Sequence, residues 1–191
     1  MAAKLLSTRR LPDLPGYGST AQDWQTYHKE AHRVLDRDDS RAINQALNIP
    51  AFRVHRNGSD QTSIATATHT RIAFTTAAID THSYFDVTTN YRYTPKIAGV
   101  YLFAVQVVWN YTFAAANTHI VQIYQNGASV ALGPQHYPAG STGPTTAAST
   151  LLTMNGSTDY VDFFVYQNSG SSQPLLGTAI YTYAYGHKVC D

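Results

Sequence analysis

The residues of this chain that could perform chemistry are its histidines and its acids. Of the eight histidines, only His28 and His32 have the i, i+4 spacing that places two zinc ligands on one helix face. No glutamate follows His28 as a base, and no third ligand is placed beside the pair. Four aspartates beyond residue 61 form no recognisable acid/base pair: Asp80, Asp86, Asp159 and Asp162. We therefore predict no enzyme activity, no cofactor and no metal ion.

Composition and charge argue against several other classes of protein. The 191 residues carry a formal net charge of +1 and no basic stripe, which argues against nucleic acid as a partner. No run of 18 apolar residues predicts a membrane span, and the first residues lack the apolar segment of a signal peptide. Cys190 is the single cysteine and cannot form a disulfide within the chain. We expect a protein made in a cytoplasm that does not insert into a membrane.

Charged residues are concentrated before residue 61, and this marks a boundary. Nine basic and seven acidic residues precede that position, whereas four basic and five acidic residues follow it. The later part is rich in Thr, Ser, Ala, Tyr and Gly, a composition typical of β-sandwiches. We predict that residues 1–50 form an extended and helical attachment arm, and that a β-domain begins at residue 51.

The arm contains a helix pattern with one apolar stripe. Ser19 or Thr20 can cap the helix, and the spacing of three and four residues then aligns a set of apolar side chains. That set is Trp24, Tyr27, Ala31 and Val34. The cluster at 38–40 predicts the start of a second short helix, which Pro50 ends. Two uses of the stripe stay open: packing on the chain's own β-domain, or docking to a partner or to other copies.

Alternating patterns predict eight strands in the β-domain. They lie near 71–75, 84–94, 100–109, 118–125, 128–132, 146–154, 159–167 and 177–186, which is enough for two sheets. Both faces of strand 100–109 are apolar, although one face of an antiparallel sandwich normally meets water. We therefore expect other copies of the chain to cover the surplus apolar surface. The candidate interface residues are Tyr101, Phe103, Trp109, Tyr181, Tyr183 and Tyr185.

Strand direction assigns the loops to two ends of the sandwich. Compact turns at Asn126-Gly127 and 155–158 share one end with the chain termini, and the longer loops 110–117, 133–145 and 168–176 share the other. Aromatic faces beside amides and hydroxyls can bind sugar rings, and functional residues are often on loops. The candidate receptor-binding residues are Tyr111, Phe113, Asn117, His136, Tyr137 and Gln173.

Five segments resemble the C1q/TNF-like jelly roll, the β-sandwich of complement C1q. Ala51 to Arg56 is similar to its first strand, and residues 84–103 resemble its signature, with Pro95 and Gly99 ahead of an apolar run. Residues 120–124 before Asn126-Gly127, and 155–161, occupy the places of its strand-turn-strand units. The resemblance covers roughly residues 51–189 and implies an all-β jelly-roll knob that forms a homotrimer.

The chain also departs from the animal members of that family. It has no collagen-like Gly-x-y region and no acidic residue directly after Gly156. A C1q-like knob behind a short arm looks like the end of a tailed-bacteriophage fibre or head spike. We therefore expect a virion surface protein: residues 1–50 attach it to other virion proteins, and the knob recognises the host surface, with glycan as the favoured receptor. Two alternatives remain, a structural trimerisation or capsid-decoration module and a cellular bacterial adhesin.

Overall fold

The computed structural model describes residues 20–47, 49–112, 117–135 and 143–191, together with Gly16 and Ala114, and it excludes the side chains of 38–47. Within this description the chain forms two compact units, residues 1–49 and 50–191. The first unit contains one long helix, and the second contains thirteen strands. No helix in the described residues is both long and apolar enough to cross a membrane.

Helix α1 spans Ala21–Leu47. Thr20 caps it as the sequence predicts: the Asp23 amide donates to Thr20 Oγ1 at 3.2 Å, and the Thr20 amide donates to Asp23 Oδ2 at 2.7 Å. Hydrogen bonds from the Thr20 hydroxyl and then from the Thr20 amide lower the pKa of the Asp23 carboxyl. The predicted break at 38–40 is wrong, because α1 continues through it. That segment holds no glycine or proline, so nothing in the backbone interrupts the helix.

The apolar stripe of α1 is present on the helix. Tyr27, Ala31 and Val34 are half-buried, whereas Trp24 is 40% exposed. The rings of Trp24 and Tyr27 meet edge-on with centroids 6.1 Å apart. The proposed role of this stripe in attachment stays a prediction.

The second unit is an all-β sandwich, as predicted. Its strands are β1 (Ala51–His55), β2 (Gln61–Ile64), β3 (Thr70–Arg71), β4 (Thr76–Asp80), β5 (Phe85–Asp86), β6 (Arg92–Tyr93), β7 (Gly99–Val108), β8 (His119–Gln125), β9 (Ala128–Leu132), β10 (Thr145–Met154), β11 (Val161–Gln167), β12 (Gln173–Leu175) and β13 (Tyr183–Cys190). One sheet has the order β10-β7-β13-β1-β4, and the other has β5-β6-β11-β8-β9 with β3 beside β11. We call them the first sheet and the second sheet. Strands β12 and β2 pair with each other.

The core lies between the two sheets and contains many aromatic side chains. Phe52 stacks on Tyr93 with ring centroids 4.4 Å apart, and Phe103 lies 6.1 Å from Phe52. Burial raises the pKa of the Tyr101 phenol to about 12, and its hydroxyl donates to the Ile97 carbonyl at 2.7 Å. One face of β7 therefore belongs to the core.

This placement corrects half of the predicted interface. Tyr101, Phe103 and Trp109 have no exposed surface, so they cannot contact another copy. Alternation along a strand puts them on the inward face of β7, and the outward face carries Leu102, Ala104 and Gln106 instead. The sequence could not identify the inward face, because both faces of this strand are apolar.

Three predicted strands also differ from the structure, and one of them, 71–75, overlaps β3 only at Arg71. The segment 84–94 forms two short strands, β5 and β6, because the Asp86 carboxylate accepts hydrogen bonds from the amides of Thr88, Thr89 and Asn90 and folds the chain back. These bonds hold the pKa of Asp86 well below its usual range. The last strand begins at Tyr183, because a turn closed by hydrogen bonds to the Thr178 carbonyl precedes it.

The predicted polarity of the sandwich is confirmed by the register. Ala51 pairs with His187 near the chain end, and Met154 pairs with Gly99 at the same end. The compact turns meet there, where Asn126 Nδ2 donates to Asp159 Oδ1 at 2.9 Å. At the opposite end, the Asn110 amide donates to the Pro174 carbonyl at 2.9 Å, which joins two of the long loops.

Candidate recognition surfaces

The long-loop end is held together by hydrogen bonds among its own segments. Asp60 Oδ1 accepts from the Gly177 amide at 2.8 Å, and its Oδ2 accepts from Asn110 Nδ2 at 3.1 Å. The buried Arg56 guanidinium donates to the carbonyls of Ser59, Asp60 and Ala73. Burial lowers the pKa of Arg56, while the nearby Asp60 acts against that shift. These groups build the platform that carries the loops.

The polar candidates of this end are engaged within the loops. Gln173 is buried, and its Nε2 donates to Ser169 Oγ at 2.9 Å and to Ser171 Oγ at 2.8 Å. Its predicted receptor contact is therefore wrong for this conformation. Asn117 Oδ1 accepts a hydrogen bond from the Ala114 backbone amide at 2.9 Å, so the Asn117 side chain closes its own loop.

The aromatic candidates have different outcomes. Tyr111 is half-buried and packs on the core, which leaves part of its ring at the surface. Phe113, His136 and Tyr137 lie outside the described residues. Their role in receptor binding stays a prediction.

The outer face of the first sheet carries two of the three remaining tyrosines of the predicted interface. Tyr183 pairs with Gln106 on β7, and Tyr185 pairs with Ala104, so their side chains share the face that points away from the core. The two rings are stacked with centroids 6.3 Å apart, and Tyr185 is 40% exposed. The Arg53 guanidinium lies 5.1 Å from the Tyr183 ring centroid. Tyr181 lies in the turn before β13 and not on this face.

Small side chains beside the tyrosines create a depression in this face. Ala147 and Ser149 on β10 lie opposite Gln106 and Ala104, and the cavity measures about 280 Å³. Leu151 continues the row and is 58% exposed. On the far side of the same face, Ile79 pairs with Arg53 and is also exposed. We call this surface the tyrosine face. It carries exposed apolar side chains among the polar groups of Arg53, Gln106 and Ser149, on a sheet that already has a core on its other side.

The outer face of the second sheet contains a charged and aromatic cluster that the sequence analysis missed. Asp162 on β11 pairs with Tyr124 on β8 and with Arg92 on β6, so the three side chains share this face. Asp162 is 1% exposed, and its Oδ2 lies 2.8 Å from Arg71 Nη2. Burial raises the pKa of Asp162, while Arg71 and then Arg92 act against that shift. The signal in the sequence was a lone aspartate within an apolar strand.

The described residues contain no group of three or more His, Cys, Asp or Glu side chains that could hold a metal ion. His28 and His32 lie one turn apart on α1, and both are exposed. The centroid of the His28 ring lies 6.4 Å from that of Trp24 and 5.7 Å from that of Tyr27. The pair therefore lies beside aromatic side chains on the helix surface.

Comparisons with known proteins identify the fold. No protein-family model matches the sequence, and no curated protein sequence matches it significantly. Solved structures do match. The match to murine APRIL has a TM-score of 0.53 at 10% sequence identity, and it covers 74% of this chain and 100% of the APRIL chain. The globular domain of zebrafish complement 1qA has a TM-score of 0.50 at 16% identity, with coverages of 73% and 96%. Eiger TNF from S. frugiperda has a TM-score of 0.52 at 12% identity, with coverages of 75% and 94%.

At these identities the matches establish the fold alone. The β-domain is a C1q/TNF-like jelly roll, as the sequence resemblance predicts.

Proposed function

We propose that this chain is a homotrimeric recognition protein of a virion surface, a fibre or head spike. In this proposal residues 51–189 form a knob that binds the host surface, and residues 1–50 attach the knob to other virion proteins. The protein recognises and assembles, without a catalytic step. Bacteriophage remains the favoured source of the particle.

The tyrosine face is the observation that carries the trimer. It carries exposed apolar side chains, it contains a depression of about 280 Å³, and it lies on the outer side of a sheet whose inner side is already filled. Proteins with C1q/TNF-like folds are typically homotrimers. Burying Leu151 and Tyr185 against a neighbouring copy would stabilise the assembly by about 25 cal/mol for each Å² of apolar surface removed from water.

The polarity of the sandwich supports recognition at the long-loop end. The β-domain begins at Ala51 and ends at Cys190 beside the compact turns, so an arm joined there leaves the long loops at the opposite end. We propose that Tyr111, Phe113 and Tyr137 stack on sugar rings at that end, with Asn117 and His136 as polar neighbours. Loops on a rigid scaffold are common sites of binding.

A structural trimerisation or capsid-decoration module is the second candidate. It is favoured by the internal hydrogen bonds of Gln173 and Asn117, which consume amide groups that a receptor site would use. A decoration protein needs the tyrosine face and the arm but no loop chemistry.

Particle incorporation and host adsorption distinguish the two candidates. Gold-labelled antibody against this chain should decorate purified particles at surface projections. Removal of residues 1–49 should yield a folded trimer that no longer joins particles. Particles carrying Phe113→Ala and Tyr137→Ala together should adsorb to host cells at least about tenfold more weakly, because stacking anchors contribute about 1–3 kcal/mol each.

The control for the loop variant is Ser157→Ala with Thr158→Ala at the compact end. Equal adsorption by the loop variant and this control, with the trimer intact, would establish decoration as the function. Absence of the chain from particles would refute both candidates.

A further inference from the structure

We propose that the outer face of the second sheet binds a carboxylate-bearing saccharide through Arg92, Arg71 and the aromatic rings beside them. This site lies on a different sheet from the tyrosine face and at a distance in sequence from the proposed loop contacts. The inference therefore does not depend on the trimer or on the virion.

The aromatic composition of this face is not required by the core. Along β11, Val161, Phe163 and Val165 fill the interior, so the outward positions are free to be polar. They hold Phe164 and Tyr166 instead, with Tyr124 on the neighbouring strand. The Tyr124 and Phe164 rings lie 4.3 Å apart and are each only half-buried. This face therefore presents a ring surface to solvent.

The Arg92 guanidinium is held in place by an aromatic ring and keeps its N–H groups available to a ligand. Its guanidinium lies 4.3 Å from the centroid of the Tyr160 ring, a contact that fixes its orientation while leaving its N–H groups free. Throughout the described ranges of the chain, no hydrogen bond or ion pair involves this guanidinium. A planar fork of donors held on an aromatic ring is suited to a carboxylate, which can accept two parallel hydrogen bonds.

Arg71 and Asp162 provide a second, partly satisfied pair in the same cluster. Arg71 Nη2 reaches Asp162 at 2.8 Å, and its guanidinium lies 5.3 Å from the Phe164 ring centroid. The buried Nε of Arg71 has no hydrogen-bond partner among the described residues. The side chain is nevertheless 39% exposed, so a ligand can reach its outer edge.

Charge decides the sign of the ligand. Asp162 pairs with Arg71, and Asp86, which lies opposite Arg92 on β5, accepts hydrogen bonds from the amides of the turn at 88–90, so neither carboxylate forms an ion pair with Arg92. A carboxylate of a ligand can therefore pair with Arg92, and the half-buried rings of Tyr124 and Phe164 favour a sugar ring over a bare ion. An acidic saccharide supplies both features in one ligand.

The test measures binding of trigalacturonic acid to the full chain by calorimetry at low salt. We expect binding that weakens as salt is raised and that falls at least about tenfold for the fully methyl-esterified trisaccharide, which has lost its carboxylates. Arg92→Gln should lower the affinity about tenfold to a hundredfold. Lys96→Gln is the matched control, since it removes one positive charge from an exposed side chain outside the cluster, and it should change the affinity less than about threefold.

A titration of the wild-type protein followed by NMR of the arginine Nε–H groups does not depend on any variant folding. The signals of Arg92 and Arg71 should move together, while that of Arg53 on the first sheet should not. Absence of binding, equal binding of the ester, or equal losses in Arg92→Gln and Lys96→Gln would overturn the proposal. Tighter binding of triglutamate than of the trisaccharide would also overturn it, in favour of an acidic peptide.

Discussion

Asp162 shows how one residue can set the chemistry of a whole surface. Its position in β11 points outward, yet the surrounding side chains leave it 1% exposed. A buried carboxylate is costly unless it is paired, and Arg71 supplies the pair. The pair in turn fixes Arg71 over the Phe164 ring. A residue that is costly in the folded state thus organises the donors around it.

Arg71→Ala should destabilise the protein by about 2–4 kcal/mol at pH 7, because it leaves a buried carboxylate without its partner. The lower part of this range allows for the partial exposure of Arg71. The folded-state pKa of Asp162 is raised above 3.8. The folded state therefore binds more protons than the unfolded state between that value and the folded pKa. Without Arg71 the pKa of Asp162 in the folded state rises further, so the loss should shrink as pH falls through the folded-state pKa of the variant toward that of the wild type.

Urea unfolding of Arg71→Ala at pH 7 and at pH 5 measures this dependence on pH. Arg71→Ala combined with Asp162→Asn is the control, because the amide carries no charge to leave unpaired. It should recover part of the stability and lose the extra dependence on pH. A loss that is the same at both pH values would show that the carboxylate is not responsible.

Gln167 has a structural role at the end of β11. It is fully buried, and its Nε2 donates to the Ser171 carbonyl at 2.8 Å and to the Ile64 carbonyl at 3.1 Å. Its Oε1 accepts from the Ser169 amide at 2.7 Å. Gln167→Leu keeps the approximate volume but leaves these buried groups unpaired, so we expect a loss of about 2–4 kcal/mol in thermal or urea unfolding. Gln135→Leu at an exposed position should change stability by less than about 0.5 kcal/mol.

At the scale of the element, the sequence predicts strands well where a turn signal fixes their ends. The predicted strands 118–125 and 128–132 match β8 and β9 to within one residue, because Asn126-Gly127 supports the positive φ angles of a tight hairpin. Strand 84–94 fails because the turn depends on hydrogen bonds to Asp86, which composition does not reveal. The helix break at 38–40 fails because a capping pattern alone does not interrupt a run of helix-forming residues.

The sequence predicts less of the candidate surfaces than of the strands. Tyr183 and Tyr185 are found on the outer face because alternation and exposure agree there. Tyr101, Phe103 and Trp109 are misassigned because an apolar face can belong to the core or to an interface, and only the packing of the other sheet decides. The Asp162 cluster unites residues from four strands, and strand pairing is a long-range property.

The compact turn at Gly156 lies close to the backbone of the chain at Ala98. Gly156 has φ of +70°, and an added Cβ would lie 2.3 Å from the Ala98 nitrogen. Gly170 has φ of +89° but no atom within 4 Å of its added Cβ. Gly170→Ala should therefore lower the free energy of unfolding only by the cost of placing alanine at a positive φ, about 1–2 kcal/mol. Gly156→Ala should lose at least about 2 kcal/mol more, because the Ala98 backbone must move.

Urea unfolding of the two alanine variants side by side provides the comparison. Equal losses would mean that the contact between the Gly156 turn and the chain at Ala98 is loose enough to relax. A larger loss in Gly170→Ala would contradict the close approach.

At the scale of the whole molecule, the two sheets have different outer faces. The first sheet presents an apolar face with a depression, and the second presents arginines and rings around a buried carboxylate. The core between them is filled by aromatic side chains. Apolar surface favours a permanent partner, and charged surface favours a ligand that comes and goes. On this division we base our proposals of assembly through the first sheet and ligand binding through the second.

The proposed trimer requires that the tyrosine face is buried against a neighbouring copy. Leu151→Glu combined with Tyr185→Glu places two carboxylates of each copy on this face, where burial against a neighbour would cost several kcal/mol for each unpaired charge. Both side chains are already substantially exposed in the single chain, so folding should be retained. Sedimentation equilibrium at micromolar concentration should give a trimer for the wild type and a folded monomer for the variant. Thr68→Glu, at an exposed position outside this face, is the control and should remain trimeric. A wild-type monomer at this concentration, or a variant that stays trimeric, would contradict assembly through the tyrosine face.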